Sequence, residues 1–303
     1  MDKQDFNQLV ELAMRAPGLS AMRTVVEKEI LHYDIFQALD AGGLLKGLIF
    51  QGGTSLRLCR GSQRFSEDLD FAGGANFTAS KMVRVKECLE GFIGTRYGFN
   101  VLVTEPKESG LDAGNVKVCK WQVSVETSAG QRDVPQQRIK LEVANIPAYT
   151  QELVPLRTNY DFLKGYNNVL VVAESMAEVM ADKVLAFPAS TKIIRHRDIW
   201  DLAWLTQQGV ALDAGLVEKK INDYGINHYA SLLDGAMDRL PEIVKSQPFK
   251  DQMRRFIDAQ TFAERLDDDR FLGYLISTVG GIFREMKAHL SSAGAPVPIA
   301  FKM

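Results

Sequence analysis

The chain is poor in cysteine and in long apolar runs. Its 303 residues include three cysteines, Cys59, Cys88 and Cys119, an odd number without CxxC spacing. Such a set argues against a disulfide framework and a structural zinc site, and it predicts a reducing compartment, the cytoplasm. No stretch reaches the roughly 20 apolar residues that span a bilayer, and residues 1–18 carry acidic side chains where a signal peptide has an apolar core. We therefore expect a cytoplasmic protein with no membrane partner.

The sequence also lacks a strong net charge and any histidine motif. The formal net charge is −2, so a nucleic acid would have to be held by a local basic surface. The four histidines have no HExxH or paired spacing, which argues against a histidine-ligated metal. With 46% hydrophobic and 24% charged residues, the composition is that of an ordinary globular protein, and the length favours two domains.

Hydrophobic periodicity divides the chain into two halves of different character. Residues 1–155 predict an α/β domain, with helical spacing from Met22 to Leu39, a short buried strand at Leu48–Phe50, and further strands between residues 100 and 146. Residues 156–303 predict a mainly α-helical domain, because helical patterns dominate after residue 174. The expected fold class is α/β, with a mixed sheet flanked by helices in the first domain.

The segment from Phe50 to Phe71, FQGGTSLRLCRGSQRFSEDLDF, carries the strongest chemical signal in the sequence. A strand ends in Gly52 and Gly53, whose missing side chains would let backbone NH groups approach a triphosphate closely. Thr54 and Ser55 open the next helix, where their hydroxyls could donate to the same phosphate oxygens. This arrangement predicts a phosphate cradle.

Two aspartates follow the phosphate cradle on a predicted strand. Asp68 and Asp70 are two residues apart and so share one strand face, where their carboxylates could hold the divalent cations of an in-line displacement at phosphorus. Salt bridges to Arg57 and Arg64 are the structural alternative. Glu142 is a candidate third metal ligand, because it faces away from the apolar side of its own strand. A charge-paired row with the neighbouring basic residues of that strand explains Glu142 as well.

These motifs resemble the DNA polymerase β-like nucleotidyltransferase superfamily, whose signature is a glycine turn, a short helix and an Asp-x-Asp strand. More narrowly, GGTSLRL followed by RFSEDLDF resembles the AbiEii-type toxin family (AbiEii/AbiGii), which includes the MenT-type toxins. That family has a lysine on a helix in its second half and then an Arg-Asp-x-x-Asp-Leu segment. Here Lys183 stands in ADKV, and residues 197–202 read RDIWDL. The resemblance implies a nucleotidyltransferase fold for the first domain and a second domain that contributes Lys183 and this segment.

The resemblance also implies roles for individual residues. It implies that Thr54 and Ser55 contact nucleotide phosphates, that Asp68 and Asp70 bind Mg²⁺ or Mn²⁺, and that Lys183 neutralises the triphosphate. Lys183 has no acidic partner at helical spacing on its own helix, although a solvated lysine is the plain alternative.

Four further residues near these motifs are candidates for supporting roles. Asp198 and Asp201 share one side of a helix, where one could orient Lys183 or act as a base. We favour Asp201, since Asp198 could simply pair with Arg195. Arg64 and Ser66 match the family pattern as phosphate contacts or as structural loop residues.

The function implied by the resemblance is that of an enzyme of the EC 2.7.7 type. It would transfer a nucleoside monophosphate from an NTP to an RNA acceptor, plausibly the 3′ end of transfer RNA, and release pyrophosphate. The physiological role would be that of a toxin in a toxin–antitoxin or abortive phage-infection system, restrained by an AbiEi-type antitoxin. Transfer to a protein or small-molecule hydroxyl, or a catalytically silent nucleotide-binding module, are the alternatives that the sequence leaves open.

Overall fold

The computed structural model describes residues 5–107, 116–127, 136–163 and 165–293. The strands within these ranges are β1 Ile49–Gln51, β2 Leu69–Ala72, β3 Val101–Thr104, β4 Val118–Val125, β5 Gln137–Ala144, β6 Glu152–Pro155 and β7 Leu170–Ala173. The helices are α1 Phe6–Met14, α2 Arg23–Ala41, α3 Gly52–Arg60, α4 Val85–Tyr97, α5 Met176–Ala189, α6 His196–Gln207, α7 Ala214–Asp223, α8 Tyr229–Lys245, α9 Gln247–Arg254, α10 Ala259–Arg265 and α11 Asp269–Ala293. Strands dominate the first part of the chain and helices the second, which confirms the predicted α/β class.

The seven strands form one mixed sheet in the order β3-β4-β5-β2-β1-β7-β6. At its centre β2 runs antiparallel to β1 and parallel to β5, while β7 lies parallel to β1 on the other side. The register places Asp70 beside Gln51 on β1 and beside Glu142 on β5. Since residues directly opposite each other point to the same side of a sheet, these three side chains share one face.

The opposite face of the sheet is packed against helix α2. Phe50 and Phe71 alternate with the polar residues of β1 and β2, and both lie in contact with Phe36 of α2. All three rings are almost fully buried, with 0–1% exposure. Burial of rings of this size dominates the energetics of a core. This core fixes which side of β1 and β2 faces the functional cavity.

A second core lies among the helices that follow the sheet. It contains Val184 of α5, Leu202 of α6, Leu233 of α8 and Phe283 of α11, each fully buried. Leu56 of α3 belongs to the same core, so the helix after the glycine turn packs directly against the helical region. The two parts of the chain that carry the motifs are thereby brought together.

The sheet continues past the predicted domain boundary at residue 155, since β7 ends at Ala173. The division into 1–155 and 156–303 stays a prediction. All three cysteines are free thiols, and burial raises the pKa of Cys59 to about 12. Across the described ranges no helix is both long enough and apolar enough to cross a membrane.

Candidate active site

A cavity of about 430 Å³ lies between the polar face of the sheet and helices α5 and α6. Two groups of charged residues on opposite sides of it are named here by their elements. The acidic floor consists of Asp68, Asp70 and Glu142 on or beside β2 and β5. The basic wall consists of Arg64, before β2, Lys183 of α5, and Arg195 and Arg197 at the start of α6. The cavity thus joins the motifs of both halves of the chain.

The two residues of the glycine turn, Gly52 and Gly53, lie too close to charged side chains of the cavity to carry side chains of their own. Gly52 has a left-handed backbone, with φ of 78°, and a Cβ atom there would lie 2.8 Å from Oδ2 of Asp70. A Cβ atom on Gly53 would collide with the guanidinium group of Arg64. Side chains at these two positions would therefore displace the acidic floor and the basic wall.

The structure does not present the hydroxyls of Thr54 and Ser55 to the cavity. Thr54 is buried, and its hydroxyl donates a hydrogen bond to the carbonyl oxygen of Asp68. Ser55 donates to the carbonyl of Gly52 at 2.8 Å. Neither residue lines the cavity. Their geometry differs from the expected phosphate contacts because both hydroxyls satisfy buried backbone carbonyls, which brace the glycine turn and the start of β2.

The carboxylates of the acidic floor lie close enough to affect one another. Burial raises the pKa of Asp70 to about 7, and the neighbouring charges of Glu142 and Asp68 add to the shift. The alternative partners named from the sequence are engaged elsewhere: Arg57 pairs with Glu29 at 2.6 Å, and Arg64 pairs with Asp201. Within the described ranges, the one ion pair of the Asp68 carboxylate is a distant contact, 3.9 Å, with the half-exposed Lys140.

Glu142 adds negative charge to the acidic floor, but it does not form a three-ligand metal site with Asp68 and Asp70 in this structure. Among the described residues, no group of three or more His, Cys, Asp or Glu side chains has the geometry to hold a metal ion. The hard oxygen donors of Asp68 and Asp70 nevertheless fit a divalent cation such as Mg²⁺.

Lys183 is held by two aspartates of α6, which sequence spacing along its own helix could not reveal. Its Nζ lies 3.0 Å from Oδ1 of Asp198 and 2.7 Å from Oδ2 of Asp201, and the residue is 5% exposed. Arg64 makes a two-pronged contact with Asp201, at 2.7 Å for each oxygen. Arg195 pairs with Asp198. Three cations therefore share two carboxylates, which leaves a surplus of one positive charge.

The geometry favours Asp201 as a residue that orients Lys183 rather than as a base. Asp201 is fully buried and does not line the cavity, whereas Asp198 does. Although burial alone would raise it, Arg64 and Lys183 hold the pKa of Asp201 below its ordinary value. A carboxylate with a lowered pKa and two cationic partners is a poor proton acceptor.

Several lining residues were not among the sequence candidates. In the sequence, Arg195 is a possible ion-pair partner of Asp198 and Arg197 begins the RDIWDL segment, and neither was proposed as a site residue; both line the cavity. Gln51, Asp182 and Tyr224 also line it. Gln51 was detectable in principle, since it precedes the glycine turn directly. Tyr224 comes from α7, which has no recognisable motif, so only the tertiary structure identifies it.

Comparisons with known proteins agree with this architecture. A family model described as the nucleotidyl transferase AbiEii toxin of a type IV toxin–antitoxin system matches residues 34–275. Among solved structures, MenT4, a nucleotidyltransferase toxin from Mycobacterium tuberculosis, is 17% identical with a TM-score of 0.52, over 95% of this chain and 99% of that one. JHP933 from Helicobacter pylori is 18% identical with a TM-score of 0.42, over 89% and 94%. No curated protein sequence matches. The family match includes the whole acidic floor and basic wall.

Proposed function

The chain belongs to the AbiEii family of nucleotidyltransferase toxins of type IV toxin–antitoxin systems, and from that premise we propose a metal-dependent transfer at the cavity. An acceptor hydroxyl oxygen bonds to the α-phosphorus of an NTP, and the bond from that phosphorus to the pyrophosphate oxygen breaks. The observation that carries this proposal is the acidic floor opposite the basic wall across one cavity. Opposed charges of this kind suit a cation and a polyphosphate bound side by side.

Asp68 and Asp70 are the proposed ligands of Mg²⁺ or Mn²⁺, with Glu142 adding charge beside them. A bound divalent cation would neutralise phosphate oxygens and align the reacting groups. The raised pKa of Asp70, about 7, reflects burial and the nearby charges of Glu142 and Asp68, and such a concentration of negative charge favours a bound cation. The acceptor proton would leave toward the same group of carboxylates as the new bond forms.

The basic wall and the start of α3 are the proposed site of the triphosphate. Helix α3 begins at Gly52, and Gly52 and Gly53 line the cavity together with Arg64 and Ser66. A helix N-terminus is a favourable site for phosphate. Lys183 and Arg195 would neutralise the phosphates from the opposite side, while Asp198 and Asp201 hold Lys183 in place.

The proposed acceptor is an RNA end, with the 3′ end of transfer RNA as the specific candidate. The loop between α5 and α6 supports this, because it exposes Lys192, Ile193 and Ile194 directly before Arg195. Ile193 is 73% exposed and Ile194 48% exposed. Apolar side chains beside arginine and lysine can contact unstacked bases and phosphates together. A cytoplasmic antitoxin of the AbiEi type is the proposed partner that restrains the activity.

The proposed reaction is tested by incubating the purified protein with Mg²⁺, each α-³²P-labelled NTP in turn, and total transfer RNA. Label is expected on RNA for the wild type and to be lost in Asp70→Asn, which keeps the size of the side chain. Asp238→Asn is the matched control, since Asp238 is exposed on α8 outside the cavity. Absence of label with all four NTPs would reject the RNA acceptor. Equal labelling by Asp70→Asn would reject the proposed metal site.

A further inference from the structure

A buried lysine outside the family motifs gathers three carboxylates beside the cavity. Lys220 of α7 is 1% exposed, and its Nζ lies 3.2 Å from Glu174, 2.9 Å from Glu178 and 2.6 Å from Asp182. The three acids stand at the start of α5 and on its first turns. This lysine cluster, Lys220 with Glu174, Glu178 and Asp182, fastens α7 to α5.

Asp182 differs from the other two acids of the lysine cluster. The side chains of Glu174 and Glu178 are fully buried, whereas that of Asp182 is 23% exposed and lines the cavity. Glu178 is also saturated, since it accepts hydrogen bonds from the NH groups of Tyr149 and Thr150 and from the Thr150 hydroxyl. Asp182 is thus the member of the cluster that can reach a bound molecule.

Electrostatic contacts fix the position of Asp182. Its carboxylate makes the shortest of the three contacts with Lys220, 2.6 Å. Burial raises the pKa of Glu174 well above its ordinary value, and the neighbouring charge of Asp182 adds to the shift. A carboxylate that is held in place and also opens to a functional cavity is preorganised to accept a hydrogen bond from a bound molecule.

The surroundings of Asp182 suit a nucleoside. Tyr224, which also lines the cavity, packs against a small apolar cluster on the same sheet face as the acidic floor, made by Ile49, Ala72, Val116, Ala144 and Ile146. Val179 and Ala186, one turn before and after Asp182 on α5, line the cavity as well. Beside Asp182 the cavity therefore combines apolar walls with a hydrogen-bond acceptor, as base and ribose binding requires.

We propose that Asp182, held in position by Lys220, accepts a hydrogen bond from the nucleoside part of the bound NTP and so contributes to selection of the nucleotide by its ribose or by its base. The inference rests on the proposed function, because it takes the triphosphate to lie on the basic wall and the nucleoside beside Asp182. The donor is either a ribose hydroxyl or an amino or imino group of the base. Both are NH or OH donors to the same carboxylate.

The experiment measures binding rather than turnover, in the full-length protein with Mg²⁺. Isothermal titration calorimetry gives the Kd of ATP, GTP, CTP and UTP, of their 2′-deoxy and 3′-deoxy forms, and of inorganic triphosphate. In Asp182→Asn the amide oxygen would face Lys220 and the NH₂ group would face the cavity, so an acceptor becomes a donor. We expect the Kd of at least one NTP to rise about tenfold or more, as for loss of a hydrogen bond to a charged group.

The comparison ligands identify the donor and exclude a general effect. The Kd of inorganic triphosphate should not change, and the melting temperature should show that Asp182→Asn is still folded at the temperature of the titration. If the donor is a ribose hydroxyl, Asp182→Asn should raise the Kd of all four NTPs equally, and this rise should be absent for one of the two deoxy forms. If the donor belongs to the base, the Kd should rise only for the NTPs whose base carries that donor. Asp238→Asn is again the control.

Two results would overturn the inference, and they differ from failure of the proposed function. Unchanged Kd values for all four NTPs would reject Asp182 as a nucleoside contact, as would equal weakening of inorganic triphosphate. A wild type that binds no NTP would reject both proposals. If NTP binding depends on Asp182 but no label reaches any acceptor, the selectivity residue stands and the proposed transfer reaction fails.

Discussion

Lys183 shows how a single residue can combine a structural and a functional duty. Its ammonium group lies between Asp198 and Asp201, and each of these carboxylates has an arginine as a second partner. Replacing the lysine therefore leaves two Asp–Arg pairs in place. The surplus positive charge of the basic wall, however, disappears.

Lys183→Gln should separate these two duties. We expect a stability loss of about 1–3 kcal/mol, since hydrogen bonds to charged groups are lost in a buried place. Transfer activity should fall about 10²-fold or more, because a preorganised charge at the phosphates is missing. Denaturant midpoints and kcat/KM for label transfer measure the two effects. Lys245→Gln, at an exposed lysine at the end of α8, is the control. A folded Lys183→Gln with wild-type activity would contradict the role of Lys183.

The pKa of Asp70 predicts a pH-dependent effect of magnesium on stability. Because folding raises this pKa to about 7, the contribution of Asp70 to stability is greatest below about pH 4 and is lost as the pH rises through 7. A cation needs the ionised carboxylate, so Mg²⁺ should raise the melting temperature more at pH 8 than at pH 6.

Asp70→Asn provides the reference for this magnesium effect. Burial also raises the pKa of Asp34 to about 6, so metal-free stability depends on pH in the same direction at a second residue. The difference between wild type and Asp70→Asn, measured by thermal unfolding with and without Mg²⁺, isolates Asp70. An identical magnesium shift in both proteins would show that the cation binds elsewhere.

At the scale of single residues, the motif residues could be predicted from the sequence, but most of their hydrogen-bond partners could not. Asp68 and Asp70 follow from strand alternation, and Lys183 from the family resemblance. The internal hydrogen bonds of Thr54 and Ser55 depend on which buried carbonyls lie nearby, and sequence spacing does not contain that information. For Lys183, the sequence suggested that one of Asp198 and Asp201 orients it, but not that both carboxylates contact its ammonium group.

The glycine turn is the element on which the geometry of the acidic floor most depends. Gly52 ends β1 and begins α3 with a left-handed backbone, and its Cα approaches the carboxylate of Asp70. The turn therefore sets the position of Asp70, a proposed metal ligand, on a neighbouring strand.

Gly52→Ala tests this close approach against Gly47→Ala. Gly47 has almost the same φ, 80° against 78°, but a Cβ atom there would meet nothing within 4 Å. Both variants should lose about 1–2 kcal/mol from the left-handed backbone. Only Gly52→Ala should also lose transfer activity, by about 10²-fold. Equal activity in both variants, measured beside their unfolding free energies, would show that the turn matters only as backbone.

At the scale of elements, the positions of helices and strands along the chain were predicted more accurately than the contacts between them. The periodicity from Met22 to Leu39 corresponds to α2, Arg23–Ala41, and the short strand before the glycines corresponds to β1. It could not be predicted that α7 would bring Lys220 to the acids of α5 and that Tyr224, directly after α7, would line the cavity, because side-chain contacts between distant helices leave no local pattern.

Across the whole molecule, the Arg64–Asp201 pair joins the sheet region to the helical region. Arg64 is 2% exposed and Asp201 is fully buried, and they are 137 residues apart in sequence. Removing one partner of a buried pair typically costs about 3–5 kcal/mol, whereas removing both costs less than the sum.

Arg64→Met and Asp201→Asn should therefore couple strongly in unfolding measurements. We expect each single variant to lose about 3 kcal/mol or more, and the double variant to lose less than the two together. Lys287→Met, which breaks an exposed pair with Asp234, should leave stability almost unchanged. Additive effects of the two buried substitutions in a double-mutant cycle would contradict the proposed joint between the two regions.

The overall class was predictable because strand and helix periodicities differ. The strand order could not be predicted, because pairing between distant strands is set by tertiary contacts. In particular, β7, which follows residue 155, pairs with β1. The boundary between two domains therefore remains open to test by limited proteolysis.

The central claim, that one cavity holds a divalent cation and a triphosphate, is tested most directly by anomalous diffraction. Crystals of the protein with Mn²⁺ and an α,β-methylene NTP analogue would show both groups without turnover. We predict a manganese peak between Asp68 and Asp70, with the triphosphate extending toward Lys183 and Arg195. A nucleotide bound elsewhere, or one bound here with manganese away from both aspartates, would contradict the account.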